Sequence, residues 1–128
     1  MALSTSPAGA SSGVTCKKVS GKITSTVTIK KCSPKKATYT KLTGNGSALA
    51  GGGTLTWNNG QTLTIAAPTL VTGSGTCPAA DTKQGFTTTI TSQSAGNTYT
   101  QVGDVVAGTV CISGAGALKL ASGTTLSL

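Results

Sequence analysis

The stretch CKKVSGKITSTVTIKKCSPKK, residues 16 to 36, carries seven lysines and no acid around two cysteines. Ammonium groups at this density attract anionic polymers, and the lysines nominated for that task are Lys17, Lys18, Lys30, Lys31, Lys35 and Lys36. Lysine offers a mobile point charge, which suits diffuse, salt-sensitive attraction. Sequence-specific nucleic-acid recognition gains from arginine forks and stacking aromatics; the chain has no Arg and this region only Tyr39, so no specific nucleic acid is expected. The expected partner is an anionic polysaccharide or another cell-envelope polymer. The same cluster also reads as a solvated face. Two like charges about 8 Å apart repel by roughly 0.5 kcal/mol in water, and less after screening, so a fold tolerates them without a ligand.

Catalysis has little to work with. There is no His and no Glu, which removes a Ser/His/Asp triad, and the only acids are Asp81 and Asp104. A paired-carboxylate glycosidase would need those two to converge across one cleft. Both sit in turn-like sequence, PAADTK and VGDVV, where a carboxylate that accepts backbone N–H groups is the simpler reading. Composition leaves a Ser/Lys dyad open, but no motif nominates one. GNGSALAGGG lacks the Lys and Ser/Thr of a phosphate-binding loop and opens no evident helix. The chain is therefore read as non-catalytic, with no cofactor.

Cys16, Cys32, Cys77 and Cys111 form an even set with no CxxC spacing and no His to share a metal. Two disulfides are expected and no metal site. Bridges imply an oxidising compartment, hence a secreted or cell-surface protein. No secretory apolar region and no run of about 18 apolar residues is present, so the chain reads as a mature form without a membrane span.

These side chains must be positioned by strands. The sequence is rich in Thr and Ser, has 18 Gly, and lacks the Glu and Arg on which long helices lean. Residues 1–13, MALSTSPAGASSG, read as a flexible tail, and residues 14–128 as one domain. From Lys22 to Lys31, Ile23, Val27 and Ile29 share one face and Thr24, Thr26 and Thr28 the other, the pattern of a half-buried antiparallel strand.

The clearest local signal is GGGTLTWNNGQTLTIAAP, residues 51 to 68. A two-residue Asn59-Gly60 loop would mix the faces, whereas a three-residue Asn58-Asn59-Gly60 loop sets Leu55 against Leu63, Thr54 against Thr64 and Thr56 against Thr62. Parity selects the longer loop, with Gly60 left-handed in a G1 bulge. Trp57, in line with Leu55, reads as core. Its alternative role is an indole exposed beside the turn as a glycan contact.

Further strands are expected over Thr38 to Thr43, Thr69 to Thr72, Phe86 to Ser92, Thr98 to Val102, Val105 to Ile112, Ala117 to Leu120 and Thr125 to Leu128, separated by Gly/Asn/Ser clusters. Eight to ten short antiparallel strands suggest an all-β sandwich or a small barrel, and the sandwich is the preferred reading. The recurrent Thr-x-Thr pairs would form ladders on outward faces. An ordered-water or ice-binding face is conceivable, but threonine is also the usual outward residue of a β-protein, and an irregular face twists.

Four cysteines allow three pairings. If Phe86 to Ser92 runs antiparallel to Val105 to Ile112, Phe86 falls near Ile112 and the loop holding Cys77 can fold towards Cys111. That leaves Cys16 for Cys32. A straight strand from Lys22 to Cys32 runs roughly 33 Å, whereas Cys16 to Lys22 covers about 21 Å. The gap exceeds the disulfide reach of about 7 Å, so this pairing requires the strand to bend or end near Ile29.

VTCKKVSGKITSTVTIKKC, GGTLTW, TYTQVGDVVAGTVCIS and GALKLASGTTLSL together resemble small exported β-proteins of actinobacteria whose function is unknown. The resemblance spans most of residues 14–128 and implies export, with no activity, ligand or functional residue attached. The expectation is a secreted, non-catalytic binding or cell-surface module with a basic patch. The alternative is a structural or adhesive coat protein that self-assembles. The sequence does not fix the oligomeric state.

Overall fold

The structure is a computed structural model and describes residues 13–128, so the expected 1–13 tail lies outside the described residues apart from Gly13. Ten strands follow one another: β1 Thr15–Gly21, β2 Thr26–Ser33, β3 Lys41–Asn45, β4 Gly53–Trp57, β5 Thr62–Ile65, β6 Thr69–Val71, β7 Thr82–Gln93, β8 Val105–Ile112, β9 Leu118–Leu120 and β10 Leu126–Ser127. All pairings are antiparallel, and the fold is all-β with two disulfides.

The expected sandwich is corrected to a closed barrel. The order β7-β5-β4-β3-β2-β1-β10-β8 is completed by a β7–β8 ladder, which joins the two ends of the sheet into eight staves. The twelve-residue β7 makes this closure. Thr82 to Thr89 pair with β8 along one edge, while Ile90, Ser92 and Gln93 pair with β5 along the other. β6 extends the β5 edge by pairing Thr69 to Val71 with Gly85 to Thr87, and β9 shares the β8 edge with β10. A sandwich and a barrel satisfy the same inside–outside alternation, and closure leaves fewer open edges.

Leu42, Leu55, Trp57, Leu63, Ile65, Val27, Ile29, Ile90, Val106 and Leu126 fill the interior. The β4–β5 hairpin has the expected register, Thr54↔Thr64, Leu55↔Leu63 and Thr56↔Thr62. Gly60 adopts φ +87°, and its N–H donates to the Trp57 carbonyl at 2.9 Å, closing the three-residue turn.

The strand expected from Lys22 to Lys31 is divided. Residues 22–25 form a turn, with Lys22 N–H donating to Thr26 O and Ser25 N–H to Lys22 O, each at 3.1 Å. Gly21 enters it at φ +104°, where a Cβ would lie 2.1 Å from Thr26 O. The chain before the turn is β1, and the hairpin lays Cys16 opposite Cys32 with Cα atoms 3.9 Å apart. The pairing is as expected, but the turn at 22–25 supplies the reversal in place of a bend or end near Ile29.

Cys77 joins Cys111, as expected, with a different register: Phe86 faces Gly108, and Thr82 faces Ile112, because β7 begins four residues early. Two disulfides mark a fold made for an oxidising environment.

Three local expectations fail, among them a turn at the Gly44-Asn45-Gly46 cluster. Gly44 lies inside β3 rather than in a turn, and GSALAG, Gly46–Gly51, forms a short helix, α1, between β3 and β4. Thr98 to Val102 is not a strand. The Asn97 carboxamide oxygen accepts the N–H groups of Tyr99 and Thr100 at 3.0 and 3.2 Å, folding the backbone locally instead of offering it to a neighbour.

No helix among the described residues is long and apolar enough to cross a membrane.

Candidate functional site

Antiparallel order brings the start of β1, the end of β2, the start of β3, the end of β4 and the end of β7 to one mouth of the barrel. The loop after β7 plugs this mouth. Gln93 Nε2 donates to the carbonyls of Asn97 and Thr100 at 3.1 and 2.9 Å, and Asn97 Nδ2 donates to Thr62 O at 3.2 Å. Thr100 Oγ1 donates to Gln93 Oε1 at 3.0 Å, so the buried amides satisfy one another.

The plug carries Tyr99 against Tyr39 and Trp57. Ring centroids lie 5.0 Å apart for Tyr39–Tyr99, 5.5 Å for Tyr39–Trp57 and 5.3 Å for Trp57–Tyr99, the last two edge-on. Tyr99 Oη donates to Pro34 O, and Tyr39 Oη donates to Gly96 O while accepting Thr98 N–H, both at 3.2 Å. The Thr98 N–H holds the Tyr39 phenol below its ordinary pKa against the opposing effect of burial, with the Lys36 charge helping. Burial pushes the Tyr99 phenol up.

Tyr39 also lines a groove of about 480 Å³, together with Lys17, Lys30, Lys31, Lys35 and Lys36, with Cys32, Ser33 and Thr40 between them. Three segments supply the lysines: β1, β2 and the β2–β3 loop. No carboxylate lines it. Lys36 Nζ sits 5.7 Å from the centroids of both Tyr39 and Tyr99 and 3.5 Å from Thr98 Oγ1, so one ammonium is steered by the rings.

Lys31 is the one described non-glycine residue in the left-handed region, at φ 59°. Between Ile29 and Cys32, both buried, Lys30 is half-buried and Lys31 exposed, so strict alternation breaks here. The left-handed residue lets two successive lysines reach the groove.

Five of the six nominated lysines thus converge. Lys18 lies outside the groove lining, on the outer face opposite Lys30. Trp57 corrects its alternative reading: at 1% exposure it is core, unable to stack on a sugar, and its Nε1 has no hydrogen-bond acceptor among the described residues. Tyr39, Ser33 and Thr40 were not nominated. Tyr39 stands four residues after Lys35 in SPKKATYTK, and that nearness was the available signal.

The acids do not converge. Asp81 precedes Thr82, which pairs with Ile112, and Asp104 precedes Val105, which pairs with Thr89. The carboxylates therefore flank opposite ends of a ladder roughly 23 Å long, beyond the range of a glycosidase pair. The buried Asp104 Oδ2 accepts Gln101 N–H at 2.8 Å, the turn role expected of it.

Burial raises the Asp104 carboxyl above its ordinary pKa, with the Gln101 N–H partly opposing. A raised folded-state pKa stabilises below the unfolded value, and that contribution is lost as pH rises through the folded value. Asp104→Asn keeps an acceptor for Gln101 and abolishes the titration. The stability of the wild type relative to this variant should therefore rise on acidification from pH 7 to pH 3. Urea midpoints of both proteins at the two pH values measure it, and a relative loss for the wild type would refute the assignment.

Comparison of the chain with protein-family models, with curated proteins and with solved structures returned no match.

Proposed function

We propose that this is an exported, non-catalytic domain that binds anionic cell-envelope polymers through the lysine groove. The observation that carries the reading is the convergence of Lys17, Lys30, Lys31, Lys35 and Lys36 on one concave site without a carboxylate. A solvated face needs no concavity. A groove lets several ammonium groups approach one chain from different sides, and low-dielectric walls focus their field. Lysine point charges give affinity without strict sequence preference, and counterion release makes it fall with salt.

Net charge alone must be separated from the groove. Lys31→Gln/Lys35→Gln removes two groove charges, and Lys83→Gln/Lys119→Gln removes two that lie elsewhere. Binding to polygalacturonate in 50 mM salt should weaken about tenfold for the first variant and less than twofold for the second. Equal losses would reduce the site to bulk charge.

A second reading, the self-assembling coat domain, is favoured by β6. Leu70 and Val71 are 67% and 44% exposed on a strand paired along one edge, and the sequence between Lys41 and Asp81 carries no charge. That reading requires salt-resistant self-association of the wild type in sedimentation.

A further inference from the structure

Beside the groove, the outer face of β1–β3 carries a two-by-three grid. Lys18 pairs with Lys30 and Lys30 with Lys41, so one lysine from each strand stands in a rank. Two residues along, Ser20 pairs with Thr28 and Thr28 with Thr43, giving a parallel rank of hydroxyls. The intervening Val19, Ile29 and Leu42 are buried, so both ranks face outward. Lys30 belongs to the grid and to the groove wall, which makes the two surfaces continuous.

Each strand thus bears one lysine and one hydroxyl residue two positions apart, about 6.8 Å along the backbone, and the pair repeats at the interstrand spacing of about 4.8 Å. A pyranose residue advances a polysaccharide chain by about that interval. We propose that this grid is a recognition face for a uronic-acid polysaccharide, with carboxylates on Lys18, Lys30 and Lys41 and ring hydroxyls on Ser20, Thr28 and Thr43. The proposal rests on the groove reading and names its ligand class.

The hydroxyl rank decides between polymers. Polyphosphate or a nucleic-acid backbone satisfies ammonium groups alone and leaves the second rank unused, whereas a uronic acid carries a carboxylate and hydroxyl groups on every residue. The Ser20 and Thr28 hydroxyls have no hydrogen-bond partner among the described residues, and Thr43 Oγ1 makes only a 3.4 Å bond to Thr56 O. They are free to meet a ligand at little structural cost.

The test uses Thr28→Val/Thr43→Val, which keeps β-branched shape and removes two hydroxyls, and Thr28→Ser/Thr43→Ser, which restores them. Binding of polygalacturonate and of inorganic polyphosphate is measured in 50 mM salt by calorimetry. The valine variant should bind polygalacturonate about tenfold more weakly and polyphosphate within twofold of wild type, and the serine variant should recover most of the loss. A near-ultraviolet dichroism spectrum matching wild type shows that the valine variant is folded. Unchanged polygalacturonate binding, or equal weakening for both polymers, would overturn the proposal. If Lys31→Gln/Lys35→Gln binds both polymers as tightly as wild type, the groove reading itself falls. Wild type binding polyphosphate but not polygalacturonate would remove the grid proposal and leave the groove.

Discussion

Replacing Cys16 and Cys32 by alanine is expected to lower the unfolding free energy by about 3 kcal/mol, and replacing Cys77 and Cys111 by about 4 kcal/mol. These values follow from the loops of 16 and 34 residues that the bridges close, whose freedom in the unfolded chain returns when they are cut. Against a typical total of about 5–15 kcal/mol, loss of both leaves little net stability. The two should differ in their effect on binding. The Cys16–Cys32 bridge ties β1 to β2 where Lys17 and Lys31 enter the groove, whereas Cys77–Cys111 lies at the far end of the β7–β8 ladder. Denaturant unfolding measures the first effect. Polygalacturonate titration, at a temperature where both variants are folded, measures the second. Loss of affinity only in the Cys16/Cys32 variant is expected; equal loss in both would disconnect that bridge from the site.

Trp57→Ala is expected to remove about 4 kcal/mol. The indole is fully enclosed, it meets Tyr39 and Tyr99 edge-on, and truncation leaves a cavity that the closed barrel cannot collapse. The plug should loosen with it, because Tyr99 loses one of its two ring neighbours, and the near-ultraviolet dichroism of the tyrosines should fall. Trp57→Phe should cost markedly less. It keeps an aromatic body and removes an N–H that no group among the described residues accepts. A loss below about 1 kcal/mol for Trp57→Ala would place the indole on the surface and reopen the glycan-stacking role.

Several features of the site were legible because they depend on neighbours in sequence. The Asn58-Asn59-Gly60 turn follows from loop parity, and β8 occupies Val105–Ile112 as expected because a Val- and Ile-rich run is bounded by the turn clusters Gly103-Asp104 and Gly114-Ala115-Gly116. The lysine cluster was visible, but its concavity was not. Lys17 and Lys31 approach through a hairpin whose turn, KITS, continues the apolar alternation of the following strand and hides the reversal. Tyr39 and Tyr99, sixty residues apart, pack together beside the groove only after the Asn97 network has folded the plug.

The amino-acid sequence by itself determined strand-forming composition, the inward and outward faces, the register of one hairpin, the bridging of four cysteines and the place of positive charge along the chain. Tertiary structure alone decided that the sheet closes and that lysines from three segments share one groove. The physical reason is range. Side-chain alternation and turn parity act over a few residues and are written locally, whereas barrel closure and groove shape depend on which distant edges meet, a choice that alternation leaves equally open to a sandwich.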